Sequence, residues 1–242
     1  MNAKLKVARP TSFRSRGLRP LAHFTIPTWV LLATVILIPF LYGIYISFLD
    51  INLASFLPPE FIGFKNYATV LAASETWATF RITIAITIVG LALQIPLGIW
   101  LALALHENLK GTKIFRSILI TPMLLTPVAV GLTYRFMFDT DLGVINWALG
   151  GFGIEKVNWL GSQTSALFAI ILVDSWQSVP FVMLLSLAAL TAISPSLYEA
   201  ARVDGASNRQ IFWRITLPLI TPTLLVITMI KIMDFFKLFD TL

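Results

Sequence analysis

Three ionisable residues, Asp174, Lys231 and Asp234, stand in stretches otherwise too apolar to hold them. An ion immersed in hydrocarbon is costly, roughly 2.5–3.5 kcal/mol on insertion scales, so such groups face a bundle interior, a partner or a watery path. Asp174 heads a polar run, Ser175, Trp176, Gln177 and Ser178, with Pro180 just beyond. That cluster can be read as the lining of a translocation path. It can also be read as a structural network capping a helix broken at Pro180, whose ring frees the carbonyl of Trp176. Lys231, Asp234, Lys237 and Asp240 recur every third residue, so opposite charges can pair along one helical stripe and lower the cost of immersion. A solvated helix end accounts equally well for Lys237 and Asp240. Ion-coupled transport through Asp174 and Lys231 would predict inverted repeats, and the two halves of the chain show no such similarity. Intramembrane catalysis at Asp174 would want a second midplane acid or a metal set, yet Asp234 pairs more naturally with Lys231. The absence of cysteine and the presence of only two histidines, His23 and His106, exclude a disulfide framework, a thiolate metal site and a histidine-rich centre. There is no GxxxxGK[ST] phosphate loop, no HExxH and no GxSxG. Uphill movement of a solute would therefore need an ion gradient or a separate ATPase, and no cofactor is expected on this chain.

These residues must be positioned by a membrane fold. The 242 residues are 57% hydrophobic and 12% charged, against about 25% charged in soluble domains, and the mean hydropathy is +0.83. A net charge of +6 fits basic cytoplasmic loops better than nucleic-acid binding, for which no basic groove with interleaved aromatics exists. Apolar runs at about 26–49, 80–105, 114–138, 166–193 and 217–239 are each long enough to span a hydrocarbon core of about 20 residues. The expected fold is thus an all-α integral membrane bundle, with a basic N-terminal segment at 1–25 and a transmembrane domain at 26–242. Asp174 falls about nine residues into the fourth run, roughly 13 Å deep at 1.5 Å per residue. Prolines interrupt two other runs, at Gln94-Ile95-Pro96 with Gly98 and at Thr121-Pro122 and Thr126-Pro127. Each frees a carbonyl that lipid cannot satisfy, so these kinks should pack against neighbouring helices.

Orientation follows from basic residues. The N-terminal segment, residues 107–116 and residues 194–216 carry 6, 3 and 3 Lys or Arg, whereas the intervening loops carry only Lys65 and Lys156. That asymmetry puts the N-terminus and 194–216 in the cytoplasm. Arg81 and Arg135 fall near outer helix ends, from which long side chains can snorkel to the interface. Five spans would leave the C-terminus outside, immediately after an apolar run, so a final span is expected to be missing.

The loop at 194–216 carries its own start and stop signals. Ser194-Pro195 opens a helix over about 195–203, Ser196 with Glu199 fits a capping box, and Asp204-Gly205 ends it. Ser207 with Gln210 repeats the box spacing, and Leu217-Pro218 marks a second stop before the last run.

Glu199-Ala200-Ala201, Asp204-Gly205-Ala206 and Ile215-Thr216-Leu217-Pro218 together resemble the EAA motif of permease subunits of binding-protein-dependent ABC importers. Tyr45-Ile46-Ser47-Phe48, the stretch from Phe61 to Tyr67, Gly143 with Asn146, and Trp176 with Pro180-Phe181 are similar to the carbohydrate, maltose-type branch. The resemblance covers about 27–242. It implies a type I importer fold in a bacterial-type cytoplasmic membrane, and a non-enzymatic subunit forming half of a path for a sugar, sugar alcohol or glycosyl solute. A non-carbohydrate solute such as glycerol phosphate or a polyamine stands as the alternative. Implied partners are a second permease, two ATPase subunits holding ATP and Mg, and an extracytoplasmic solute-binding protein. Glu199 would be the charged ATPase contact, Ala200 and Ala201 would allow close approach, and Gly205 would set the bend, with Asp204 and Pro218 completing the coupling motif. Related chains continue through a Gly-Gly-Pro loop and a further span. Candidate path residues are Asp174, Trp176, Gln177, Pro180, Lys231 and Asp234.

Overall fold

The computed structural model of the chain describes residues 18–51, 58–107 and 111–237, and divides into two compact units at Trp77. In the first unit, α1 (Leu18–Leu32) passes through a π turn at Ala33–Leu37 into α2 (Ile38–Ser47). Its apolar part, Thr25–Ser47, is 23 residues long and matches the first expected span. The basic segment expected at 1–25 lies outside the described residues up to position 17, and from Leu18 it is already helical. One departure from an all-helical reading is a two-residue antiparallel pairing of β1 (Leu49–Asp50) with β2 (Glu60–Phe61). It is held by α3 (Lys65–Ala72), where the Asn66 amide donates to the carbonyls of Ser47 at 2.9 Å and Leu49 at 3.0 Å. The Phe48 ring packs beside Phe61, Phe64 and Tyr67, with centroids 5.2–6.4 Å away.

The second unit is built on α4 (Ser74–His106), α8 (Gln163–Thr191) and a long helix that begins at Asn208 and ends at Phe236. On α4, Gly90, Gln94, Gly98 and Ala102 are buried, and their spacing of four puts them on one face. A Cβ at Gly98 would run into the Val182 side chain and lie 3.1 Å from the backbone nitrogen of Met183, while one at Gly90 would enter the Phe235 ring. These two glycines let α4 approach its neighbours as closely as helices can, the usual device of membrane packing. Below them Ala102, Met183, Leu187, Leu190 and Ile220 form the buried core. Neither Pro96 nor Pro180 breaks its helix, so the broken fourth span considered above is not found. α8 starts on reciprocal Ser162 and Ser165 hydrogen bonds.

The third expected span, 114–138, is not one helix. α5 (Thr112–Ile120) tightens into a 3-10 turn at Thr121–Leu124, and α6 (Pro127–Met137) leaves at 93°. Pro127 pushes Thr126 to an extended ψ of 135°, and Leu125 beside it sits at 142°, so two consecutive residues leave the helical region. Four described helices are thus long and apolar enough to span, or five if the bent pair is one span. The second stop expected at Pro218 is also absent. α10 (Asn208–Ile211) continues through a π turn at Phe212–Thr216 into α11 (Leu217–Phe236), with Pro218 in the first turn of that last piece. Proline is tolerated there because the wider π turn before it already departs from the α ladder.

Candidate functional site

The stripe on α4 delivers Gln94 to the centre of the second unit, fully buried. Its amide donates to Asp174 Oδ2 at 2.6 Å and reaches Ser175 Oγ at 3.3 Å. The Ser178 hydroxyl, one turn along α8, donates to Asp174 Oδ1 at 3.3 Å and accepts from Lys231 Nζ at 2.8 Å. Lys231 lies 3.9 Å from Asp174 and 3.6 Å from Asp234, and its ammonium sits 5.1 Å from the centroid of the Phe235 ring, which the bare face of Gly90 admits. Side-chain exposure is 3% for Lys231, 18% for Asp174 and 48% for Asp234. One buried ammonium therefore serves two carboxylates from different helices. The pairing of Lys231 with Asp234 is legible from spacing; the share taken by Asp174 is not, nor is the part played by Gln94, which the sequence offers only as a neighbour of the Pro96 kink. Gln94 Oε1 is buried and has no hydrogen-bond partner among the described residues.

Asp174 also faces a cleft of about 490 Å³ between α6 and α8. Gly131, Tyr134, Arg135, Phe138, Val173 and Gln177 are among its walls. Of the six path candidates, Asp174 and Gln177 line this cleft. Lys231 stands behind Asp174, Pro180 is buried, and Trp176 packs edge-on against Tyr134 with centroids 5.6 Å apart. The Gln177 amide donates at 2.9 Å to the carbonyl of Leu125, the residue at the break in the third span. It therefore satisfies a backbone group that lipid could not.

At the other end, α9 (Pro195–Val203) is capped at Ser194, not Ser196, and neither residue makes a capping bond to the helix backbone; their hydroxyls bond each other at 2.8 Å. The expected box between Ser196 and Glu199 is thus replaced, because Pro195 occupies the first helical position and shifts the register by two. Glu199 is left exposed with no hydrogen bond or ion pair among the described residues. Ala200 is exposed beside it, but Ala201 is buried, so its small size serves packing within the chain rather than an outside contact. Gly205 turns the chain at φ +78°, a conformation that favours glycine, with Asp204 exposed before it. The second box forms as expected, Ser207 N–H donating to Gln210 Oε1 at 2.8 Å and Gln210 N–H to Ser207 Oγ at 3.3 Å.

The family model for a binding-protein-dependent transport system inner membrane component matches residues 94–242, which contain the polar network, the cleft and the α9–α10 pair. The chain belongs to this family. It is similar to the trehalose/maltose transport system permease protein of Thermococcus litoralis, 40% identical over 77% of this chain and 63% of that relative. To the sulfoquinovosyl glycerol transport system permease protein of Agrobacterium fabrum it is 35% identical, over 88% of this chain and 70% of the relative. A crystal structure of a bacterial ABC transporter that imports the acidic polysaccharide alginate superposes with a TM-score of 0.76 at 28% identity, covering 88% of this chain and 72% of that one. This permease thus spans less than two thirds of the first of these relatives and about seven tenths of the others. The family is one of membrane transport subunits rather than enzymes.

Between the third and fourth expected spans, the permease carries a loop pinned by one buried side chain. Asn146, on α7 (Val144–Gly150), donates to the carbonyls of Thr140 at 3.0 Å and Val157 at 2.9 Å. Its oxygen accepts from Val157 N–H at 3.2 Å and Trp159 Nε1–H at 3.0 Å. Gly143 is needed because a Cβ there would strike the carbonyls of Met137 and Asp139. Asp139 turns the chain by accepting the N–H groups of Leu142 and Asp141, which with the Lys156 charge hold its carboxyl below the ordinary range. Its contribution is complete above the unfolded carboxylate pKa and is lost as pH falls through the lowered folded value. Asn146→Ala strands part-buried donors and acceptors, each at the low end of the roughly 1–3 kcal/mol that a buried orphan costs. Limited proteolysis should then cut within 139–160 much faster than in the parent while the membrane helices stay intact; equal cutting rates would show that Asn146 does not hold the loop.

Proposed function

We propose that this permease forms half of the translocation path of an ATP-driven importer for a glycosyl solute. Its α9–α10 segment docks on a cytoplasmic ATPase. The observation that carries this reading is the helix running unbroken from Asn208 to Phe236. It makes α10 of the docking segment continuous with the helix bearing Lys231, so movement of α10 at the ATPase reaches the polar network along one helix. Glu199 and Ala200 present to the partner an exposed acid with no ion pair among the described residues and a small side chain, and Gly205 sets the angle between the short helices. The cleft beside Asp174 and Gln177 supplies the solute's path, the residues behind it its rigidity. The carbohydrate assignment draws on relatives named for trehalose/maltose and sulfoquinovosyl glycerol. A structural neighbour bound to an alginate-loaded periplasmic protein supports an extracytoplasmic binding protein as partner. A second permease and two ATPases, which would hold ATP and Mg, complete the assembly. The N-terminus and the docking segment lie in the cytoplasm, on the basic-residue count.

The test is purification of the tagged full chain from its own membranes. A second permease and an ATP-hydrolysing subunit should co-elute, and uptake in intact cells should stop on ATP depletion. A chain that elutes alone, with uptake abolished by an ionophore at normal ATP, would overturn the reading.

A further inference from the structure

Two charged side chains line the α6–α8 cleft, and only one is neutralised. Asp174 is answered by the Gln94 amide, the Ser178 hydroxyl and the Lys231 ammonium behind it. Arg135, in the last turn of α6, lines the same cleft and makes no ion pair or hydrogen bond among the described residues. The acids nearest in sequence are committed elsewhere. Asp139 Oδ1 holds the N–H groups of Asp141 and Leu142, and Asp141 pairs with Lys156 at 2.9 Å. The carbonyl end of α6 attracts the guanidinium with only about half a charge, so a net positive charge remains. Tyr134, next to it in the wall, has a hydroxyl that also makes no hydrogen bond among the described residues. The cleft therefore presents a planar fork of five N–H donors and one phenolic O–H, with its single carboxylate already compensated.

We propose that Arg135 makes the cleft selective for glycosyl solutes that carry a carboxylate. Two guanidinium N–H groups take the two carboxylate oxygens side by side, and Tyr134 bonds a neighbouring hydroxyl. This rests on the reading of the cleft as the solute's path. The carboxylate end of the solute lies toward the Phe138 end of the cleft and its neutral end toward Asp174 and Gln177.

The chain has no cysteine, so Leu132→Cys places a lone thiol of this subunit in the cleft wall. In the assembled importer, its labelling by a small maleimide is followed while methyl glucuronide or methyl glucoside is titrated, the labelled subunit being resolved by size. Glucuronide should half-protect the thiol at a concentration about tenfold or more below glucoside, the ratio expected for one charge-assisted bidentate contact. Arg135→Gln in the same background should bring the two sugars to equal, glucoside-like protection, and Arg135→Lys should keep part of the preference. Equal protection in the parent, or a preference that survives Arg135→Gln, would overturn the charge selectivity while leaving the cleft as a solute path. Protection by neither sugar would overturn the path itself, and the selectivity with it.

Discussion

Lys231→Met should cost the folded permease about 3–5 kcal/mol, the usual penalty for stripping the partner from a buried charge. The total stability of a domain is only about 5–15 kcal/mol, so most of the protein should be lost from the monodisperse peak on mild heating in detergent. Two carboxylates compete for the same ammonium, and geometry alone would favour Asp234 at 3.6 Å over Asp174 at 3.9 Å. Screening reverses that order. A pair about 4 Å apart is worth roughly 1 kcal/mol in water and about 4 at an effective dielectric constant of 20. Asp234 is half exposed and Asp174 mostly buried, so Asp174 carries the larger share. Asp234→Asn should therefore shift the melting point little. Asp174→Asn, added to Lys231→Met, should recover much of the loss, because it removes the carboxylate left unpaired. A single Lys231→Met protein as heat-stable as the parent would show that the network contributes nothing to folding.

Glu199→Lys and Gly205→Val should both reduce solute uptake more than tenfold while leaving the amount of permease in the membrane nearly unchanged. Glu199 is exposed and makes no hydrogen bond or ion pair among the described residues, so reversing its charge breaks none of those. On the docking reading, the lysine meets a surface selected for an acid, and like charges across an interface cost several kcal/mol. Gly205 sits at φ +78°, where a β-branched side chain adds about 1–3 kcal/mol of strain. That suffices to redirect α9 but not to unfold a bundle. The paired readout is ATP hydrolysis by the complex, which in both variants should become independent of a loaded binding protein. Uptake at parental rates in both would sink the docking assignment.

Much of the helical layout is a one-dimensional property and was readable as such. Long apolar runs have one solution in lipid, and four of the five expected runs lie on helices long and apolar enough to cross a membrane, with ends shifted by up to nine residues. The Ser207 and Gln210 box was legible because its partners are three residues apart. The failures share a different cause. Whether the chain at Pro127 bends gently or by 93° depends on what donates to the carbonyls left open at the break, and one such donor, the Gln177 amide, lies 52 residues from Leu125. Pro96, Pro180 and Pro218 carry the same local signal as Pro127 yet leave their helices unbroken. Gln94 reads as part of a proline kink until α8 brings Asp174, 80 residues away, to its amide. Arg135 reads as an interfacial anchor until α6 turns and makes it a wall of the cleft.

The unbroken run from Asn208 to Phe236 is a lever arm. Lys231 lies 23 residues from its start, about 34 Å at 1.5 Å per residue. A tilt of only about 5° imposed at the Asn208 end would sweep the ammonium sideways by about 3 Å, given that length. That distance is comparable to the 3.9 Å now separating it from Asp174. Asp234 rides on the same arm and would travel with its lysine, whereas Asp174 and Gln94 stay on other helices. A few degrees at one end of the helix would thus make or break a single contact about 34 Å away.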